Sequence, residues 1–444
     1  MNKIAGTEAS TKTNTKAGPA KNSAEKTIDK SSHSQNQRQN QSQINRNRFF
    51  LVGYYGFGNT GDEVLLQKTI TCIASKYLLT QKNIEINILY TKKELPELPD
   101  QFSNKVSIKR VNRWSIWSVL VAIIRSQLVI VGGGEVFQDK TSRRSLTYYV
   151  MILTIAKWFK KTCVLLGQGF SKFNEVQSEK SLAKSLLKTG KNAFLSTRDQ
   201  QSFKVIHNIL CDVEKKDAEP NPQIIESTDM AYFNSTYKPN KNASGKSSHT
   251  PTIAVILRTD HPNISKEMEE SSKEWLKAIS QNQKELEFHK VLGISFHSEE
   301  DVPYLKKLQS QNLIEDILYM SAEKFINHPI PTSINLVVSM RYHGCVWASL
   351  HGIPFIALNI DNKLGNLAEQ CGQKTVYNIE LKNNPMAIKE AIKVARQGRL
   401  VTFGVKPKTP ETGYGYIESN EKLSEKIPFS SIKKFIEKPN KYTA

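Results

Sequence analysis

The sequence predicts an α/β protein built from two Rossmann-like, doubly wound parallel-sheet domains behind a disordered polar N-terminal tail. Three observations carry that expectation. Short apolar runs alternate with amphipathic helical stretches along most of the chain. The alternation stops at a Pro-, Asn-, Gly- and Ser-rich break over residues 236–250 and then restarts. Several runs end directly in glycine clusters or charged residues, where a parallel sheet exposes its carboxyl edge. At 444 residues the chain is long enough for two ordinary cores.

Residues 1–48 are almost wholly Lys, Asn, Gln, Ser, Thr and Ala, without apolar periodicity. Such a stretch buries too little surface to offset its ordering entropy and is expected to be disordered. No apolar segment follows its basic residues, so it does not read as a signal peptide. A first domain over 49–235 is expected to take strands at 49–53, 84–90, 106–111, 128–131, 163–167 and 193–197, with a shorter one at 224–227. Helices are expected between them at 62–77, 142–159, 176–188 and 199–210. The most apolar stretch, 116–131, is interrupted by Arg125 and Gln127 and reads as a core helix feeding a buried strand. After the 236–250 linker, a second domain over 251–403 is expected to repeat the pattern. Its strands fall at 252–258, 291–296, 313–320, 334–340, 354–360 and 375–379. Its helices fall at 266–280, 321–327, 344–351, 363–371 and 385–397. Residues 404–444 form an extension with a short helix expected at 430–436.

The formal net charge is +20, to which the tail's nine Lys/Arg and three Asp/Glu contribute +6. A basic excess points to anionic partners. No zinc-finger spacing, aromatic RNA-binding motif or basic helical stripe supports nucleic acid, which leaves phosphate-bearing ligands, or a solvated surface with no specific partner. Cys72, Cys163, Cys211, Cys345 and Cys371 are scattered and odd in number. They suggest neither a disulfide framework nor a metal cluster, and suit a reducing cytoplasm.

Two glycine-rich turns follow first-domain strands. Residues 53–63 (GYYGFGNTGDE) lead from a strand into a helix, where Gly56 and Gly58 allow a tight turn and Asn59, Asp62 and Glu63 offer polar contacts. The simpler alternative is a strand–helix turn capped by Asp62. Residues 131–139 (VGGGEVFQD) put Gly133 and Gly134 at a strand's carboxyl end, followed by Gln138 and Asp139. Both turns read as substrate-binding loops. Arg198, at the end of the 193–197 strand, either forks a carboxylate or phosphate or pairs with Asp199. In the second domain Arg341 and His343 follow the 334–340 strand and Lys363 follows the next. Adjacent parallel strands would bring guanidinium, imidazole and ammonium to one spot, suited to proton transfer and to a doubly charged anion. No cluster with metal-ligand spacing accompanies them, so no metal is expected.

In order along the chain, GYYGFGNTGDEVLL, VGGGEVFQD with TSRRSLTYY, LGQGF, and RYHG followed by GIPFIALNIDNKLGNLAEQCG make the sequence resemble the polysaccharide pyruvyltransferase family, over about residues 49–400. The resemblance implies a GT-B-like pair of domains and phosphoenolpyruvate as donor substrate, with no cofactor. It further implies a pyruvate ketal formed on a sugar of a surface polysaccharide or of its lipid-linked precursor, the acceptor being an amino sugar or a polysaccharide. His343 corresponds to the family's catalytic histidine. Arg341, Lys363 and Arg198 correspond to its basic positions, and the two glycine loops would line the acceptor side. The implied setting is the cytoplasm, with peripheral contact at the inner face of the membrane left open. Tyr342 and Gly344 stand where Leu and Ala are usual, and Phe170-Ser171-Lys172 and Asn362 also depart from the family pattern. Two other readings remain: a GT-B glycosyltransferase using a nucleotide sugar, and a catalytically silent scaffold of envelope assembly.

Overall fold

The computed structural model describes residues 47–78, 83–97, 104–140, 142–214, 222–235, 251–259, 266–281, 288–327, 333–360, 362–371, 375–377, 416–421 and 432–436, with a few single residues between them. The first sheet is formed by β1 (Asn47–Tyr55), β2 (Ile84–Tyr90), β3 (Val106–Asn112), β4 (Leu128–Val131), β5 (Thr162–Gln168), β6 (Ala193–Thr197) and β7 (Gln223–Glu226), all parallel in the order β3-β2-β1-β4-β5-β6-β7. Its crossover helices are α1 (Thr60–Leu78), α2 (Ile116–Arg125), α3 (Arg143–Trp158), α4 (Val176–Thr189) and α5 (Gln200–Glu214). The second sheet contains β8 (Thr252–Ile256), β9 (Lys290–Ser295), β10 (Asp316–Tyr319), β11 (Ile334–Ser339), β12 (Phe355–Asn359) and β13 (Thr375–Tyr377), in the order β10-β9-β8-β11-β12-β13. With it run α6 (Lys266–Gln281), α7 (Asp301–Ser310), α8 (Ala322–Asn327), α9 (Tyr342–Leu350) and α10 (Asn362–Gln370).

The expected pair of parallel-sheet α/β layers is therefore present. Continuous apolar runs work here because helices cover both faces: Phe49 to Val52 and Ile253 to Ile256 are wholly buried. Strand order reverses between β1 and β4 in one sheet and between β8 and β11 in the other. Ligands of open α/β sheets sit at the carboxyl edge of such reversals.

The start of α1 fastens the two layers together. Thr60 donates its backbone N–H to Phe296 O at 2.8 Å and its hydroxyl to Met320 O, while Asn59 bridges His297. Val64 and Leu65 on the next turn enter the apolar cluster built around the second sheet. A helix whose strand belongs to one sheet thus packs into the core of the other.

Three expectations are corrected. β1 begins at Asn47, not 49, because Asn47 and Arg48 pair with Ile84 and Glu85, and Arg48 lies 3.5 Å from the Glu85 carboxylate. The segment expected as a helix at 430–436 is instead a strand, β15 (Ile432–Ile436), antiparallel to β14 (Tyr416–Ser419). A helix of about two turns has little stability alone, whereas extended residues gain a partner strand. Helix α7 was not anticipated, its lysines and Pro303 masking the buried Tyr304, Leu305 and Leu308. The expected tail up to residue 46, the linker over 236–250 and the helix at 385–397 lie outside the described residues.

Candidate active site

After β11 the chain turns sharply. Ser339 Oγ accepts from Arg341 N at 3.0 Å and donates to Arg341 O at 2.8 Å, and α9 starts immediately beyond with Arg341 as its N-cap. Arg341 turns away to α7. Its Nε donates to both oxygens of Asp301, at 2.9 and 3.1 Å, and its Nη2 reaches Glu300 at 3.3 Å. Asp301 Oδ2 also accepts from Phe296 N and His297 N, each at 2.9 Å. Arg341 is thus a buried clamp tying α9 to the β9–α7 turn, not an open anion fork.

His343 is held differently. Its Nε2 lies 3.8 Å from Asp229 Oδ1, beyond hydrogen-bond reach, and is buried with no hydrogen-bond partner among the described residues. Its Nδ1 edge presses on Gly61 of α1, where an added Cβ would stand 2.1 Å away. The Tyr342 ring meets it edge-on, with centroids 5.2 Å apart. Asp229 Oδ1 accepts from Ala231 N at 2.9 Å, and its Oδ2 has no partner among the described residues. Burial would raise the Asp229 carboxyl, but its close contact with His343, the Arg198 charge and the Ala231 N–H outweigh it and hold the group below its usual range.

Glu135, the residue after the three glycines, gathers two of the expected cations. Arg198 Nη2 lies 3.4 Å from Glu135 Oε2 and Lys363 Nζ lies 3.7 Å from the same oxygen, while Ser171 donates to Oε1. Despite burial, Lys363 and Arg198 hold the Glu135 carboxyl below its ordinary value. Arg198 also pairs with Asp199 at 3.1 Å and lies 4.6 Å over the Tyr342 ring. Tyr342 thus gives Arg198 a π face. Lys363 is more open, with 31% of its side chain exposed against 5% for Arg198.

Asp62 completes the cluster. Burial pushes its carboxyl up to about 7, Glu63 adds to the shift, and His343, Lys363 and Arg341 oppose it. An added Cβ on Gly134 (φ +119°) would stand 3.8 Å from Asp62 Oδ1, which joins the two glycine turns. Gly133 sits against Leu65 and Met230.

The structure therefore brings His343, Lys363, Arg198, Asp62 and Gly134 together and directs other expected residues to structural tasks. Gly56 N donates to Glu63 Oε1 at 2.6 Å, and Tyr90 donates to Glu63 Oε2 at 3.0 Å, so Glu63 is engaged within its own turn. Gly58 (φ +89°) lies against His297, and Asn59 Oδ1 accepts from Gly61 N at 3.0 Å, so this stretch serves the junction between sheets. Both Asp139 oxygens are taken by the backbone, from Asn174 N at 2.9 Å and Glu175 N at 3.0 Å, fixing the approach to α4. Gln138 is half-buried on the same loop. Among the described residues, no group of three or more His, Cys, Asp or Glu is arranged to hold a metal ion.

Sequence reasoning missed Asp229, Glu135 and Asp301 as partners. Glu135 carried a signal, being a lone acid after three glycines. Asp229 carried none, since it reaches His343 only when the two sheets meet. The LGQGF segment also acquires a purpose: Gln168 Nε2 donates to Gly132 O, Gly169 N donates to Gly134 O at 2.8 Å, and a Cβ at Gly169 would stand 2.4 Å from Arg198 Cζ.

Two parallel-sheet layers meeting at paired switch points define a GT-B-like fold. The staphylococcal (S. aureus) MnaA structure solved with UDP has the same fold, with a TM-score of 0.50 and 12% identity over 79% of this chain and 89% of that one. The family model for polysaccharide pyruvyl transferases matches residues 59–362, and the chain belongs to that family. The match ends well before the residue 400 expected from sequence. A second model, for nucleotidyl transferases, matches residues 375–444. Curated relatives agree only over short stretches. Mannose-1-phosphate guanylyltransferase 2 of Escherichia coli O157:H7 is 52% identical over 64 residues, 13% of this chain and 13% of that protein. The Xanthan biosynthesis protein XanB of Xanthomonas campestris pv. campestris (strain B100) is 45% identical over 58 residues, 13% of this chain and 12% of that protein. This chain thus spans only a small fraction of these relatives.

Proposed function

We propose that the protein transfers the enolpyruvyl group of phosphoenolpyruvate to a sugar of a cell-surface polysaccharide, or of its lipid-linked precursor, as a cyclic pyruvate ketal with release of phosphate. The observation that carries this reading is the buried His343 Nε2. It lacks a hydrogen-bond partner among the described residues, lies beside the Asp229 carboxylate and stands next to the Lys363–Glu135–Arg198 cluster. An imidazole beside a carboxylate is suited to carry a proton and give it up.

Protonated His343 delivers a proton to the methylene carbon of the donor, making it a methyl group and leaving an oxocarbenium-like carbon beside it. A sugar hydroxyl attacks that carbon and loses its proton to a base. The bond to the phosphate oxygen then breaks with its electron pair, and a second hydroxyl closes the ring and loses its proton. His343, now neutral, takes back one proton. Asp62, near 7 and on the acceptor side, is suited to take the other. Lys363 is the cation best able to exchange Glu135 for the donor's phosphate, being the more exposed of the pair. Arg198 and Arg341 act as positioning residues, Arg198 on Glu135 and Tyr342, Arg341 on Asp301.

The purified chain incubated with phosphoenolpyruvate and N-acetylmannosamine-containing acceptors should release phosphate and add a pyruvyl mass to the sugar. Turnover of a nucleotide sugar without phosphate release from phosphoenolpyruvate would replace this reading with glycosyl transfer. Inertness towards both donors would leave the scaffold reading.

A further inference from the structure

We infer that the outer face of α2, together with the end of α3, is a docking surface for an anionic lipid bilayer. Helix α2 is apolar on two sides. Val119, Ala122 and Ile123 face the core, whereas Trp117, Val121 and Ile124 recur at helical spacing on the solvent side. Trp114, just before the helix, is 77% exposed, and Trp117 is 73% exposed. The end of α3, which lies against α2, adds Trp158 at 73% and Phe159 at 42%. Lys161 donates to Ile124 O at 2.7 Å and ties the two helix ends together. Scattered exposed apolar residues need no explanation, but a row along one helix face, continued on the next helix, marks an interaction surface.

Charge selects the occupant. Arg125 borders Ile124, and Lys157, Lys160 and Lys161 flank Trp158 and Phe159. Between residues 101 and 174 the only acids are Glu135 and Asp139, both turned inward. An apolar face rich in Trp and rimmed by Lys and Arg fits the interface of an anionic membrane, where indoles favour the headgroup level and cations meet lipid phosphates. No described helix is long and apolar enough to cross a membrane, so the contact is peripheral. The face also adjoins the site: Arg113, next to Trp114, lies 4.8 Å over the Phe57 ring of the first glycine turn and 3.4 Å from Gly53 O. A bilayer held here would bring a lipid-tethered acceptor towards the acceptor loops. That last step rests on the proposed function; the docking itself does not.

The five tryptophans provide a direct test. Trp275 and Trp347 are 1% and 2% exposed, so the three exposed tryptophans all belong to this face. Full-length protein is titrated with vesicles of equal parts phosphatidylglycerol and brominated phosphatidylcholine, with Trp fluorescence and co-sedimentation as readouts. Quenching is expected, weakened by salt as Lys/Arg contacts are screened. The double variant Trp117→Ser/Trp158→Ser should bind about tenfold or more weakly. Both side chains are exposed, so an unchanged melting curve and unchanged activity on a water-soluble acceptor are expected alongside. Absence of vesicle binding by the wild-type chain would overturn the inference. So would a concentration-dependent dimer, seen by sedimentation velocity, that the same double variant dissolves, because the face would then belong to a second copy. Vesicle binding in a chain inactive towards phosphoenolpyruvate would leave this inference standing and remove the catalytic reading.

Discussion

Arg341 and His343 stand two residues apart at the end of one strand, yet the structure treats them in opposite ways. Arg341 is enclosed by Asp301 and Glu300, and Asp301 is itself fastened to two backbone N–H groups. His343 is pressed between Gly61 and Tyr342, its Nε2 3.8 Å from Asp229 Oδ1 and without a hydrogen bond among the described residues. A saturated polar group in a closed contact holds shape. An unsaturated buried one is retained against its desolvation cost and is the better candidate for chemistry.

The comparison breaks most sharply at His343. His343→Ala should lower turnover by roughly a hundredfold to ten-thousandfold while the melting temperature stays near that of the wild type; phosphate-release kinetics and thermal melts decide this, and retained turnover removes His343 from the acid role. Arg341→Met should act through stability, leaving buried Asp301 unpaired and costing about 3–5 kcal/mol in denaturant unfolding. If Arg341→Met instead raised KM for the donor without destabilising the chain, Arg341 would rank as a binding residue after all.

Smaller effects sharpen the comparison. Gly344 stands where an added Cβ would lie 2.4 Å from Ser339 Oγ, which is itself fixed by two bonds to Arg341, and 2.6 Å from Ile256. Gly344→Ala should therefore cost about 1–3 kcal/mol by overpacking, measured by chemical denaturation.

Asp62 gives the gentlest effect, read in pH. Its carboxyl is raised from 3.8 to about 7, so between these values the folded chain keeps a proton that the unfolded chain has lost. Its contribution to stability therefore falls as pH rises from about 4 towards 7. Asp62→Asn should flatten that slope and remove a limb near neutrality from the pH–rate profile. An unchanged profile would take Asp62 out of proton transfer.

Much of the arrangement was legible because it depends on local pattern. Uninterrupted apolar runs such as 49–52 read as doubly covered strands, and the positions of His343 and Lys363 just after β11 and β12 follow from strand ends alone. What was misread depends on partners distant in sequence. Nothing near Arg341 signals that Asp301, on an unanticipated helix, will occupy it. Asp139 looks like a cleft residue until Asn174 and Glu175 present their N–H groups to it. The 430–436 segment was read as a helix because its partners lie 13 to 20 residues upstream, in the register Tyr416↔Ile436 to Ser419↔Ile432, beyond the few residues over which helix preference acts.

By itself, then, the sequence determined two parallel-sheet layers, their glycine turns and a histidine with two cations near strand ends, since strand, helix and turn preferences act over a few residues. Only the tertiary structure decided which charges are spent and which remain for chemistry. Neutralisation of a buried charge is settled at distances of 3–4 Å, by residues such as Asp229 and Glu135 that the two sheets bring up from far along the chain.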